Sequence, residues 1–117
     1  MSMITDSTMT ALGSSLQGLA QRQQVTANNI ANIDTPGFLA GRTDFESALA
    51  NELANGESPV TGSSSVMRSS DPTRTDGNNV NLDTETTIQT ETGLRYQLAL
   101  NALNGKYDQL RSALRTS

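Results

Sequence analysis

Apolar residues recur every three or four positions at both ends of the chain. Met9, Leu12, Leu16 and Leu19 step by 3, 4 and 3, and the same ladder runs through Gln23 and Thr26 to Ile30 and Ile33. Such spacing keeps one face of a helix apolar at coiled-coil pitch. Thr5, Asp6 or Ser7 can cap its start. Asp34-Thr35-Pro36-Gly37 stops it, because Pro36 restricts Thr35 and has no N–H to donate. The pattern predicts a helix over 7–33. A second ladder is uninterrupted: Tyr96, Leu100, Leu103, Tyr107, Leu110 and Leu114 step by 4, 3, 4, 3 and 4. Leu94, Leu98, Ala99, Ala102 and Ala113 widen it. Asp83, Glu85 and Glu91 lie toward its start, and Arg95, Lys106, Arg111 and Arg115 toward its end. That order complements the helix dipole. With Asn81 as N-cap, the predicted helix covers 82–115.

The segment between, 34–81, holds all three prolines (Pro36, Pro59, Pro72) and a serine run at 63–65. Phe45, Ala48, Leu49 and Leu53 predict one short helix near 43–54, capped by Thr43 or Asp44. Residues 55–79 read as loop, turn or short extended pieces, with Asp76-Gly77-Asn78-Asn79 as a tight turn into the last helix. The expected fold is therefore all-α and a single domain over 1–117. Two long terminal helices pack as an antiparallel coiled coil, with a short helix in a largely irregular polar middle. The packing stripe is expected at Leu12, Leu16, Leu19 and Ile33 on the first helix. On the last it comprises Tyr96, Leu100, Leu103, Tyr107, Leu110 and Leu114. Gln23 and Thr26 interrupt the first seam and point to contacts outside a simple hairpin.

Composition limits what such a hairpin can do. Leu, Ile, Val and Phe make up 23 of 117 residues, while Ser, Thr, Asn and Gln make up 45. So polar a chain buries little surface alone and is expected to borrow stability from neighbours. Cysteine, histidine and tryptophan are absent. Disulfides, thiol chemistry, imidazole bases and His- or Cys-based metal sites are thereby excluded. With four aromatic residues and a net charge of −4, neither a base-stacking platform nor a phosphate-backbone binder is expected. No stretch approaches the roughly 20 apolar residues of a membrane span. Met1–Asp6 lacks the basic and apolar regions of a cleaved secretory signal. Export that reads an uncleaved N-terminus stays open.

Several weaker motifs have plain readings. Asp71, Asp76, Asn78 and Asp83 do not meet EF-hand spacing and are expected as a capped turn. Asp83 and Glu85 lie two apart, do not share a helix face, and are expected as a solvated first turn. Arg111 and Arg115 share a face at a helix end, where solvation is expected ahead of binding to an acidic surface.

The most unusual stretch is Ala27-Asn28-Asn29-Ile30-Ala31-Asn32-Ile33-Asp34-Thr35-Pro36-Gly37-Phe38. Asparagine is a mediocre helix former, yet three occur within five residues. Asn28 and Asn32 share a face, and buried amides fix register more than they stabilise. Gly37 permits a positive φ past the helix, and Phe38 can fold back onto it. A helix C-terminus with asparagine caps accounts for the same residues.

This segment resembles the N-terminal signature of the bacterial flagellar rod, hook and hook-filament junction proteins. The signature positions are Asn28, Asn29, Ile30, Asn32, Thr35, Gly37 and Phe38. Asp44-Phe45-Glu46 with Ala48-Leu49, Thr75–Glu85, Leu94-Arg95-Tyr96-Gln97, Ala102-Leu103-Asn104 and Lys106-Tyr107 look like the proximal-rod branch of that family. The sequence departs from it at Leu39 and Thr84, where basic residues are usual. It departs also at Asn81, where a carboxylate is common, and at Gly105, where a larger residue is common.

The resemblance implies a non-enzymatic structural subunit, exported unfolded without signal cleavage through the flagellar type III export apparatus. Such a subunit polymerises through its terminal helices into the hollow rod that crosses the periplasm in the basal body. It implies as partners other copies of the chain, the export-gate/MS-ring adaptor protein and other flagellar rod proteins. It implies no cofactor, no metal, no nucleic acid and no direct lipid contact. The competing reading is a soluble coiled-coil adaptor or export chaperone of the same secretion system. A small enzyme is a third reading, for which no convergent site can be named.

Overall fold

In the computed structural model, residues 2–56 and 65–116 are described, with side chains from 8 to 56 and from 65 to 115. Pro59 and the first two serines of the 63–65 run lie outside them. The elements are α1 (Ser2–Ala31), β1 (Gly41–Thr43), α2 (Phe45–Ala54), β2 (Val66–Arg68) and α3 (Leu82–Thr116). The molecule is a rod of 66 × 27 × 15 Å. At 1.5 Å per residue, α3 alone is roughly 52 Å long.

The helices α1 and α3 run antiparallel, since α1 positions 29, 23 and 12 meet α3 residues 85, 89 and 102 in turn. The helix α1 begins earlier than its cap residues suggested, so Thr5, Asp6 and Ser7 lie inside it. It ends at Ala31, leaving Ile33 in the following turn. The chain tightens there: Ile33 N–H bonds the Ile30 carbonyl at 3.2 Å and Thr35 N–H the Asn32 carbonyl at 3.0 Å. These three-residue closures replace the helical ladder ahead of Pro36. At the start of α3 the predicted cap is present. Asn81 Oδ1 accepts from the N–H groups of Asp83 (2.9 Å) and Thr84 (3.3 Å).

The middle of the chain is more ordered than its composition suggested. β1 and β2 form an antiparallel ribbon with Gly41 opposite Arg68, Arg42 opposite Met67 and Thr43 opposite Val66. Ser69 N–H to the Ala40 carbonyl at 2.8 Å extends it by one rung. Three-residue strands with little alternation give almost no periodic signal. The pairing arises because Ala40 and Gly41 lie buried against α1 and their backbone groups need partners.

The helix α2 packs on the α1–α3 pair through Phe45, which is buried. A Cβ on Gly18 of α1 would stand 2.4 Å from the Phe45 ring, so only glycine leaves room for this ring. The buried apolar set among the described residues is small: Leu19, Ala40, Phe45 and Val80. Polar residues complete the interior, with Thr26, Asn29, Asn78, Asn79, Glu85 and Thr92 all buried.

Candidate functional site

Two motifs some 40 residues apart in sequence are zipped together at one end of the helix pair. The turn after α1 and the turn before α3 touch at their glycines. Gly37 has φ +73° and Gly77 has φ +84°. A Cβ on Gly77 would lie 3.2 Å from Gly37 Cα. Both the backbone conformation and the close approach call for glycine. Gly37 N–H donates to the Asp76 carbonyl at 2.8 Å, and Asn79 N–H to the Phe38 carbonyl at 3.3 Å.

Side-chain amides do the rest, because each can satisfy backbone donors and acceptors that no ladder serves. Asn78 Nδ2 donates to the carbonyls of Asn32 and Thr35, both at 2.9 Å. Asn79 Oδ1 accepts from Ala40 N–H at 2.7 Å, and its Nδ2 donates to Ser69 and Asp71 carbonyls. Arg74 spans the joint, donating to the Val80 carbonyl at 2.6 Å and the Ile33 carbonyl at 2.5 Å. The last of these closes the C-terminal turn of α1 against the loop that leads into α3.

Asn29 is fully buried and uses its whole amide inside the chain. Oδ1 accepts from Gly41 N–H at 2.8 Å, while Nδ2 donates to the Gly41 carbonyl and to Glu85 Oε2, both at 3.0 Å. It thus acts as a substitute strand beside β1. None of its surface reaches solvent, so its amide is engaged wholly in holding α1, β1 and α3 together. Asn28 and Asn32 pair with each other, at 3.1 Å between Nδ2 of Asn32 and Oδ1 of Asn28. Thr35 Oγ1 donates to Asn32 Oδ1 at 3.1 Å. Ile30 is half-buried. The Phe38 ring lies under the Arg68 guanidinium, 5.4 Å from its centroid, so its polar partner comes from β2.

Glu85 corrects a sequence expectation. It is not a solvated first-turn carboxylate but is fully buried. Besides Asn29, it faces Arg42 Nη2 at 2.8 Å from Oε1, close enough for an ion pair though not aligned as a hydrogen bond. A buried carboxylate with a cation and an amide fixes one arrangement of α1, β1 and α3 and adds little net stability. The signal for its burial was available: Glu85, Ile88, Thr92 and Tyr96 continue the α3 ladder backwards in steps of 3, 4 and 4.

Glu46 is a second clasp that sequence reasoning did not find. Its carboxylate takes a two-pronged contact from Arg22 of α1, one prong measuring 2.8 Å, and a 2.9 Å bond from Arg95 of α3. Arg22 also donates to Thr43 and stacks over Phe45 at 5.0 Å. The hydrogen bonds from Arg22 hold the Glu46 carboxyl below its ordinary value of 4.5, burial opposing and the positive charge of Arg22 assisting. A depressed carboxylate stabilises above its unfolded pKa and loses that contribution as pH falls through the folded value. The stability gap between the parent and Glu46→Gln is therefore expected to be open at neutral pH. It should close as pH drops below about 4.5. Urea melts of both chains across that range measure it.

The packing stripe divides. Leu19 is buried, and Leu12, Leu16, Ile33, Tyr96, Leu100 and Leu103 are half-buried. Tyr107, Leu110 and Leu114 are exposed, contrary to the expectation of a stripe packed along its whole length. A pair of helices covers only one line of contact, and among the described residues no third element lies over this end, since α2 stops at Ala54. Leu94 and Leu98 are also exposed, about 70% in each case.

The family of flagella basal body rod proteins matches this chain over residues 9–38, which is α1 through Phe38. Curated relatives extend the similarity over most of the length. The flagellar basal body rod protein FlgB of Yersinia enterocolitica is 34% identical, across 81% of this chain and 84% of its own. FlgB of Escherichia coli K12 is 32% identical, across 83% and 85%. FlgB of Bacillus subtilis 168 is 32% identical, across 80% and 81%. With this similarity reaching from α1 into α3 and taking in both halves of the zipped joint, the chain belongs to the FlgB family of flagellar basal body rod proteins.

Proposed function

We propose that this chain is a structural subunit of the proximal rod. It polymerises through its terminal helices into a hollow, helically assembled drive-shaft segment that transmits torque and conducts exported proteins. One observation carries the reading: the mismatch between core and surface. Among the described residues four apolar side chains are buried, while α3 alone exposes Leu82, Leu94, Leu98, Tyr107, Leu110 and Leu114. Leu94 and Leu98 lie on one side of α3 and Tyr107, Leu110 and Leu114 on another, so apolar area is left uncovered on two faces, and apolar area of this extent is the mark of a surface to be covered. A subunit that completes its core only on assembly also suits passage through an export channel as an unfolded chain. The partners are other copies, other rod proteins, the export-gate/MS-ring adaptor protein and, during export, the type III apparatus. The site of action is the basal-body rod where it crosses the periplasm, reached without signal cleavage.

The alternative, a coiled-coil adaptor or export chaperone, uses the same helices to hold a single client. A double Leu103→Ala, Leu110→Ala chain separates the two. In the rod both leucines are covered by a neighbouring copy, where truncating a buried leucine costs about 2–5 kcal/mol, and a helical tube repeats that loss at every subunit. The double variant is expected to be exported but to build no rod. Normal rods at normal copy number in a strain carrying only this variant would exclude the structural role of α3.

A further inference from the structure

Between α1, α2 and α3 lies an apolar groove of about 450 Å³, lined by Leu12, Leu49, Leu53, Leu98, Ala99 and Ala102. Leu53 and Leu98 stand exposed on its rim. We infer that this groove seats the C-terminal end of α3 from a second copy of the chain, with Tyr107 and Leu110 as the inserted ridge. The inference rests on the rod-subunit reading for the place where copies meet.

Three observations single out this occupant. Tyr107 and Leu110 are three apart, share a face and are 49% and 43% exposed, so the chain carries an uncovered apolar ridge as well as an uncovered groove. The ridge cannot enter its own groove. The groove wall on α3 is formed at 98–102, and the ridge lies some 8 residues further along the same helix, about 12 Å away.

Charge points the same way. The segment bearing the groove, 44–54, has Asp44, Glu46 and Glu52 and no basic residue, and Arg22 and Arg95, which pair with Glu46, leave this surface one negative charge in excess. The segment bearing the ridge, 104–116, has Lys106, Arg111 and Arg115 against Asp108 alone. Like segments repel, whereas ridge and groove of different copies attract. Finally, two different surfaces on one chain make a heterologous contact, which propagates head to tail instead of closing into a dimer.

The absence of cysteine makes the test direct. Two full-length chains of different tag mass, one Leu53→Cys and one Leu110→Cys, are mixed and oxidised. This is done as concentrated purified protein and, by co-expression, in isolated basal bodies. Both positions are exposed, so the substitutions leave the fold intact. Thr86→Cys, exposed near the other end of α3, replaces Leu110→Cys as control. The mixed disulfide between 53 and 110 is expected to exceed that between 53 and 86 by about tenfold or more. Equal yields overturn the inference, as does coupling of the groove cysteine to a different basal-body protein. Cofractionation judges the underlying reading separately. Chains present in basal bodies without the 53–110 disulfide remove the contact and keep the rod subunit. Chains that crosslink yet are missing from basal bodies do the reverse.

Discussion

Asn29→Leu is expected to cost about 1–3 kcal/mol of folding stability, the cost of leaving a buried polar group unpaired. Leucine is the better helix former, so α1 itself is not weakened. What is lost is a hydrogen bond to three buried groups at once, of which the Gly41 carbonyl and Glu85 keep Arg42 and the Gly41 N–H keeps no side-chain partner. Gly41 N–H, the Gly41 carbonyl and Glu85 Oε2 all face the Asn29 amide. Each buried polar group left unpaired costs about 1–3 kcal/mol, more when charged. Leucine cannot replace any of these bonds, and its branched end occupies the space that water would need.

Asn28→Leu, one residue earlier and exposed, is expected within about 0.5 kcal/mol of the parent. Urea melts in an osmolyte background, which lengthens the folded baseline, would measure both. Equal stability of the Asn29 variant and its parent would show that the amide network does not hold α1, β1 and α3 together.

Phe45→Ala is expected to cost about 3–5 kcal/mol and to release α2 from the helix pair. The Phe45 ring fills the space over Gly18 and carries the Arg22 guanidinium that in turn holds Glu46. Gly18→Ala acts on the same contact from the other side. Its Cβ, 2.4 Å from the ring, forces the ring or α2 to move, at about 1–3 kcal/mol. The two changes should not add. In a Phe45→Ala background the methyl on residue 18 meets open space, and the second substitution should cost little or even stabilise the helix. Proteolysis at the α2 boundary, read alongside the melts, reports the release of α2. Simple additivity of the two costs would place Phe45 elsewhere than over Gly18.

Both predictions involve residues whose identity is plain in the sequence and whose neighbours are not. The sequence by itself determined the three helices and the limits of α3 to within a residue, though neither the early start of α1 nor the β1–β2 ribbon. The 3-4 ladders specify the two long helices, Pro36 with Gly37 ends the first, Asn81 starts the last, and the Asp76–Asn79 turn delivers the chain into it. These are local matters, settled by dihedral restriction and by hydrogen bonds within a few residues.

Tertiary structure decided the rest. That Asn29 and Glu85 meet depends on α1 and α3 lying antiparallel in one particular register, which apolar positions with similar side chains do not choose. That Asn79 ties the ribbon to the turn depends on Ala40 and Gly41 being buried, with backbone groups that must find partners. A polar residue on a helix stripe reads equally well as a gap in the seam or as a member of an internal network. Asn29 and Glu85 prove to be members, because each meets the other across the seam. The exposed end of the α3 stripe is the converse case. Periodicity specifies which residues share a face, but what covers that face depends on elements outside the helix, and within this chain α2 is too short to reach it.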